Sequence, residues 1–187
     1  MHPSLPIRAF RPVRAGLATA GQPTAEQFQL LRDAGFHAIL NLALPTSDGA
    51  FPHEPQLARA LGMEHHHIPV DFDHPADADV VAFMDWMERR RHQCVLVHCA
   101  LNMRASAFVH LWRVLREGVP EAISARDLHA IWLPSGPWRV LLVRWLLPMR
   151  PSAPGSAPPG LRDRSAAGGS AAPGSGLDPL HSSAPPA

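Results

Sequence analysis

Cysteine is scarce in this sequence: Cys94 and Cys99 are the two cysteines in a chain of 187 residues. Because they stand five positions apart along a predicted strand, they would lie roughly 16 Å from each other. A disulfide requires Cα atoms within about 7 Å of each other, so the spacing argues against a bridge between these two residues. Free thiols are typical of reducing compartments, and we therefore expect a cytoplasmic protein.

The chain also lacks an excess of charge of one sign and a long apolar run. It has 17 basic and 16 acidic residues, and its longest basic block is residues 89–91. This balance argues against nucleic acid as the main partner, because proteins that bind the phosphate backbone carry a basic face. Residues 140–149 are apolar but interrupted by Arg144, and they are too few to cross a membrane. The first residues lack the apolar region of a secretory signal.

Apolar side chains that could build a core are scarce after residue 150. Residues 151–187 are almost wholly Pro, Gly, Ser and Ala. Such a segment cannot bury enough apolar surface to offset the entropy lost on ordering, so we predict a disordered tail. Residues 1–150 are long enough to bury about two-thirds of the surface of the unfolded chain, which favours one domain with one core.

Short apolar segments alternate with helical patterns within this predicted domain. Thr24 and Gln27 have the spacing of a capping box, and Gly35 ends the helix that follows. The other predicted helices are at 54–61, 77–90 and 104–117, around Leu128, Ile131 and Trp132, and from the turn at 134–137 to residue 147. The predicted strands are residues 38–42, 65–70 and 94–97. This alternation predicts an α/β fold with a mostly parallel central sheet flanked by helices.

The residues best suited to chemistry follow the strand at 94–97. Residues 98–104, here called the Cys99 loop, join that strand to a helix, so that several backbone N–H groups and the helix dipole form an anion site. A cysteine at the head of such a loop has its thiolate stabilised by the same donors. Arg104 adds a planar fork suited to a phosphate or sulfate dianion. Ser106 is placed to hydrogen-bond the Cys99 sulfur.

The order His98, Cys99, Arg104 and Ser106 resembles the His-Cys-x5-Arg-Ser/Thr signature of the cysteine-dependent protein tyrosine and dual-specificity phosphatases. The resemblance implies a dual-specificity-phosphatase-like fold. It also implies a phosphoric monoester hydrolase that acts on a phosphorylated protein or a small phosphoester, with no cofactor and no metal.

The resemblance continues upstream of the signature. Residues 68–72, Ile-Pro-Val-Asp-Phe, are similar to the general-acid loop of the family, and they precede Cys99 by about 28 positions. Small bacterial phosphatase-like proteins have similar residues at the positions of Gly-Gln-Pro at 21–23 and of Phe83. The resemblance thus covers residues 10–148. The implied site residues are catalytic Cys99, Arg104 and Asp71, phosphate-binding Ala100, Leu101, Asn102, Met103 and Arg104, and supporting His98, Ser106 and Asp73.

The sequence departs from the family signature in one place, since four residues rather than five separate Cys99 from Arg104. One explanation is a loop shortened by one residue, which would resemble the six-residue loop of rhodanese-type sulfurtransferases. The other is a loop of family length in which the arginine stands one place early, because Ser106 keeps the family's distance from the cysteine. In that alignment Asn102 occupies the family's glycine position, and asparagine is the non-glycine residue best able to adopt a positive φ. Both explanations keep an anion site.

Two other functions are compatible with this loop. One is a phosphate- or phosphoprotein-binding module with little turnover, in which the displaced Arg104 impairs catalysis. The other is a rhodanese-like sulfurtransferase that carries a persulfide on Cys99. Asp71 discriminates between the hydrolase and the sulfurtransferase, because sulfur transfer needs no general acid, whereas ester hydrolysis does.

The run of three histidines at 65–67 suggests a metal site at first sight. His65 and His67 share one face of the predicted strand. No cysteine or carboxylate set with the spacing of metal ligands accompanies them. We therefore predict packed histidines at a strand rather than a metal site.

Overall fold

The computed structural model describes residues 4–147. The predicted tail, residues 151–187, lies outside the described residues, as do the ends of the predicted domain at 1–3 and 148–150. In chain order the elements are β1 (Arg11–Arg14), β2 (Leu17–Ala20), α1 (Ala25–Asp33), β3 (Ala38–Asn41), α2 (Glu54–Ala60), β4 (Glu64–His67), α3 (Asp77–Glu88), β5 (Val95–His98), α4 (Met103–Leu115), α5 (Glu121–His129) and α6 (Gly136–Leu146). Within the part described, no helix has both the length and the hydropathy of a membrane span.

The strands form one sheet in the order β1-β2-β5-β3-β4. The pairs β2–β5, β5–β3 and β3–β4 are parallel, and β1 pairs antiparallel with β2 at one edge. The α/β fold with a mostly parallel central sheet is therefore confirmed. All four residues of β5 are buried, as expected for a central parallel strand that is covered on both faces. Cys99 follows directly at the carboxyl edge of this strand.

Helices cover both faces of the sheet, and each face has its own core. Side chains alternate along a strand, so Val95 and Val97 of β5 pack on the side of α3, α4, α5 and α6, whereas Leu96 packs on the side of α1 and α2. The first core contains the large buried aromatic side chains Trp86, Phe108, Trp112 and Trp138. The second is smaller and includes Phe28 and Phe36.

Most predicted elements are present, with three corrections. The hairpin of β1 and β2 was not predicted; its register shifts between Pro12 and Arg14, and Gly16 makes the turn with a φ of +77°. The predicted strand at 65–70 ends at His67. Helix α5 ends before Ile131 and Trp132, so these two residues lie in the connection to α6 rather than in a helix.

Candidate active site

The Cys99 loop leaves β5 and enters α4 through Asn102. The φ of Asn102 is +67°, the left-handed conformation that its alignment with the family's glycine predicts. Its buried side-chain amide donates to the Ala9 carbonyl at 2.8 Å and to the Thr19 hydroxyl at 3.0 Å. Asn102 therefore shapes the loop through its backbone and through bonds to the body of the domain.

The first turn of α4 leaves backbone donors available beside Cys99. The first intrahelical bond runs from the Ser106 N–H to the Asn102 carbonyl at 3.0 Å. The N–H groups of Met103, Arg104 and Ala105 precede it and have no acceptor within the helix, and the Asn102 side chain does not cap them. Together with the helix dipole, these donors favour a bound anion.

The structure brings Cys99 and Arg104 together in one pocket of about 170 Å³. Cys99 is only 1% exposed, so its thiol is reached through this pocket. Neither Cys94 nor Cys99 takes part in a disulfide in the described part of the chain. The lining residues are Phe72, Cys99, Ala100, Leu101, Met103 and Arg104.

Arg104 is a buried cation, with 6% of its surface exposed. Its Nη1 donates to the Val70 carbonyl at 2.9 Å and its Nη2 to the Ser47 hydroxyl at 3.2 Å. Its buried Nε–H has no hydrogen-bond partner among the described residues. Within residues 4–147 no carboxylate forms an ion pair with it. A buried charge without a counterion is costly, so this position favours an anionic ligand.

The predicted general-acid segment reaches the pocket through Phe72 and not through a carboxylate. The centre of the Phe72 ring lies 6.0 Å from the Arg104 guanidinium. The backbone carbonyl of Phe72 accepts a 2.7 Å hydrogen bond from the Trp138 indole. Asp71 and Asp73 are both exposed and do not line the pocket. The structure thus places the acid segment beside the pocket but brings neither aspartate to Cys99.

Asp71 instead caps its own turn. Its carboxylate accepts hydrogen bonds from the Asp73 N–H at 2.8 Å and from the His74 N–H at 3.3 Å. The bond from the Asp73 backbone is the main cause that lowers the pKa of Asp71, and His74 lowers it further. In this conformation Asp71 is therefore ionised at neutral pH. To donate a proton, it has to leave this turn and gain a proton near the leaving oxygen.

Ser106 does not meet Cys99 in the structure. Its hydroxyl donates to the Met103 carbonyl at 3.1 Å, a bond within the first turn of α4. It lines a separate cavity of about 10 Å³, which Thr19 and His110 also line. A helical side chain points back toward the start of its helix, and a local carbonyl there competes for the hydroxyl.

His98 lies at the base of the loop and is fully buried. Its Nε2 lies 2.7 Å from the Glu54 carboxylate, which is 1% exposed. Sequence reasoning missed Glu54, because a glutamate followed by proline reads as an ordinary helix start. Burial raises the pKa of Glu54, but the charge of His98 and hydrogen bonds from His65, His98 and Gln22 outweigh burial and hold it well below its usual range.

The three histidines at 65–67 alternate between the two faces of β4, with His65 half-buried and His66 and His67 exposed. His65 bonds Glu54 and His67 bonds the Ala43 carbonyl on one face, at 2.9 Å and 2.7 Å. His66 stacks on Trp86 on the other face, with ring centroids 5.9 Å apart. Among residues 4–147 no group of three or more His, Cys, Asp or Glu side chains is arranged to hold a metal ion.

Comparison with known proteins identifies the family. The family described as DSP-PTPase phosphatase fused to NAD+ kinase matches residues 11–131, more than half of the chain. The chain belongs to the dual-specificity and tyrosine phosphatase family. The matched residues of this phosphatase-family chain include the Cys99 loop and the segment that carries Asp71. Among curated proteins none matches the chain.

Solved structures agree with this assignment. A DUF442 phosphatase candidate from Shewanella putrefaciens CN-32 is 34% identical with a TM-score of 0.71, and the match covers 76% of this chain and 94% of that one. A phosphatase candidate from Neisseria meningitidis Z2491 is 20% identical with a TM-score of 0.59, covering 73% and 98% of the two chains. The core catalytic domain of the PP-IP phosphatase SIW14 from S. cerevisiae is 16% identical, with a TM-score of 0.61 and coverage of 78% and 87%. The last two show that the fold is shared.

Substitutions of Asn102 test the conformation of the Cys99 loop. Asn102→Gly is expected to lower the free energy of unfolding by about 1–2 kcal/mol, because two hydrogen bonds are lost while a positive φ costs glycine nothing. Asn102→Ala should cost about 1–2 kcal/mol more, since alanine also bears the strain of the left-handed conformation. Urea unfolding of the three proteins measures both steps. Equal stability of the two variants would contradict the positive φ.

Proposed function

We propose that this protein is a phosphoric monoester hydrolase that acts through a cysteinyl-phosphate on Cys99. The observation that carries the proposal is Arg104, a buried cation without a partner carboxylate in residues 4–147, which lines the same pocket as the buried Cys99. A phosphoryl dianion supplies the missing negative charge and accepts from the unpaired Nε–H. The same dianion accepts from the free N–H groups of the first turn of α4.

The first half-reaction is a displacement at phosphorus. The Cys99 thiolate forms an S–P bond, the bond from phosphorus to the ester oxygen breaks, and the leaving oxygen takes up a proton. The negative charge on the equatorial oxygens is stabilised by Arg104 and by the loop amides, which are already oriented before the substrate binds. In the second half-reaction water attacks phosphorus, the S–P bond breaks, and inorganic phosphate and the free thiolate are released.

We assign the general acid to Asp71. Its neighbour Phe72 lines the pocket, so a change of the turn that holds the Asp71 carboxylate would bring it to the pocket, where it takes up a proton from water and passes that proton to the leaving oxygen. After the first half-reaction the same carboxylate accepts a proton from the attacking water. Asp73, two positions further along the same exposed turn, is the alternative acid.

Two assays on the purified full chain test the proposed function. The protein is expected to hydrolyse an aryl phosphate and not to transfer sulfur from thiosulfate to cyanide. Sulfur transfer without phosphate release would favour a rhodanese-like reaction instead. Binding of inorganic phosphate without any turnover of aryl or alkyl phosphates would identify a binding module and contradict the proposal.

The role of Asp71 is tested by varying the leaving group. Asp71→Asn should lower kcat for phenyl or alkyl phosphates by about 100-fold or more, because their leaving oxygens need protonation. For 4-nitrophenyl phosphate the loss should be much smaller, since nitrophenolate leaves without a proton. Asp73→Asn is the matched control and should show no such dependence. If Asp73→Asn gives the leaving-group dependence and Asp71→Asn does not, Asp73 is the acid.

A further inference from the structure

A buried carboxylate joins the four parallel strands beside the Cys99 loop. Glu54, the first residue of α2, accepts hydrogen bonds on Oε1 from the His98 and His65 imidazoles at 2.7 and 2.9 Å. It accepts on Oε2 from the Gln22 and Asn41 side-chain amides at 2.8 and 3.2 Å. His98, His65 and Asn41 belong to β5, β4 and β3, and Gln22 lies two positions after the end of β2. These five residues form what we call the Glu54 cluster.

A contribution to fold stability does not by itself explain why the Glu54 carboxylate is buried. Moving a carboxylate out of water is costly, and a buried ion pair is often no more stabilising than apolar residues of the same volume. Four donors offset the cost at Glu54, and each comes from a different segment of the chain. What the cluster provides beyond stability is a fixed relative position for the segments that carry the donors.

Two of those segments border the first half of the Cys99 loop. His98 is bonded to Cys99 through the chain, and its ring is held by Glu54. Gln22 is held by Glu54 through its side chain, and its own N–H donates to the Ala100 carbonyl at 3.1 Å. The residues on either side of Cys99 are therefore both tied to one carboxylate.

The bond to the Ala100 carbonyl matters for anion binding. The C=O and N–H of a trans peptide point in opposite directions, so a carbonyl turned toward Gln22 turns the Leu101 N–H away from Gln22. A loop that binds an anion needs its carbonyls directed outward, because a carbonyl oxygen facing the anion would repel it. The Glu54 cluster thus favours the peptide orientation that an anion loop requires.

We propose that Glu54 is a positioning residue for catalysis, which acts through His98 and Gln22 to hold Cys99 and the loop amides in their working geometry. This inference rests on the proposed hydrolase function. It concerns neither a contact with substrate nor a proton transfer. Helix α2, which lies on the other side of the sheet from α4, thus contributes to the reaction through Glu54.

The test compares Glu54→Gln with a control variant that removes a buried hydrogen bond elsewhere in the domain. Glu54→Gln keeps the shape of the side chain but replaces one acceptor oxygen by an amide donor and removes the charge. We expect kcat for an aryl phosphate to fall by about 10- to 100-fold, as for a small displacement of reacting groups, while KM changes less than about threefold. Ser124→Ala removes a buried hydrogen bond to His110 between α4 and α5, and it should leave kcat within about twofold of the parent.

Gln22→Ala provides a second variant if Glu54→Gln fails to fold. Gln22 is only half-buried, and the substitution keeps its backbone bond to Ala100 while cutting the link to Glu54. We expect a fall in kcat of about three- to tenfold with a melting temperature close to that of the parent. A fall in kcat confined to these two variants supports the inference.

Two results overturn the inference. One is a kcat within threefold of the parent in both variants. The other is a fall in kcat that Ser124→Ala also shows when it lowers the free energy of unfolding by the same amount, which would make the role of Glu54 purely structural. Cys99→Ser is run in parallel to keep the two proposals apart. Turnover that survives in Cys99→Ser rejects the hydrolase mechanism itself. If Cys99→Ser is inactive while Glu54→Gln and Gln22→Ala are fully active, only the role of Glu54 is rejected.

Discussion

Cys99→Ser is expected to reduce the turnover of an aryl phosphate by at least about 1,000-fold. A serine hydroxyl remains protonated at neutral pH and is a far weaker nucleophile than a thiolate, and loss of an enzyme's nucleophile commonly costs several orders of magnitude in kcat. The affinity for inorganic phosphate should change little, because Arg104 and the α4 amides remain. Initial rates with an aryl phosphate and calorimetry with phosphate measure the two quantities.

Cys94→Ser is the matched control for this substitution. Cys94 is the other cysteine of the chain, is half-buried, and precedes β5 rather than following it. It does not line the pocket that contains Cys99 and Arg104. Its replacement should leave the rate within about twofold of the parent. A Cys94→Ser protein that is inactive beside an active Cys99→Ser protein would move the nucleophile to the other cysteine.

Arg104→Lys has the second large expected effect. Lysine keeps the positive charge but loses the planar fork that binds two oxygens of a dianion, so we expect kcat/KM to fall by about 100-fold and phosphate to bind more weakly. The buried site also disfavours a compact, strongly hydrated ammonium group. Steady-state kinetics and phosphate calorimetry on the same preparations give both effects.

Arg113→Lys is the control for replacing a buried arginine of α4 by lysine. Arg113 is a second buried arginine of α4, but it pairs with Asp127 away from the Cys99 pocket. Its replacement should affect stability and leave kcat/KM within about twofold. Equal kinetic losses in the two lysine variants would show that Arg104 supports the helix and does not bind the substrate.

The local parts of the site could be predicted from the sequence, because they depend on residues that are neighbours along the chain. Strand β5, the Cys99 loop and α4 are consecutive, so a pattern of 20 or so residues contains the information that brings Cys99 and Arg104 into one pocket. The positive φ of Asn102 follows from the same alignment. The parallel arrangement of β3, β4 and β5 follows from the alternation of strands and helices.

The remaining features depend on contacts between distant segments. The Phe72 carbonyl is held by the Trp138 indole from a distant helix, and the Asp71 carboxylate is held by the N–H groups of residues 73 and 74. The Pro-x-Asp-Phe pattern contains neither contact. Glu54 acquires its importance from donors on four segments, which only the folded sheet brings together. The assignment of Cys99, Arg104, Asp71, His98 and Ser106 to the reaction stays a prediction.

The central claim is that phosphate passes through a covalent bond to Cys99, and rapid trapping of the phosphoenzyme tests it most directly. The full chain is mixed with an aryl phosphate, denatured within the first turnover, digested and examined by mass spectrometry. We predict one phosphoryl group on the peptide that contains Cys99, absent in Cys99→Ser and present in Cys94→Ser. A phosphoryl group on another residue, or steady release of phosphate by Cys99→Ser without any adduct, would contradict the account.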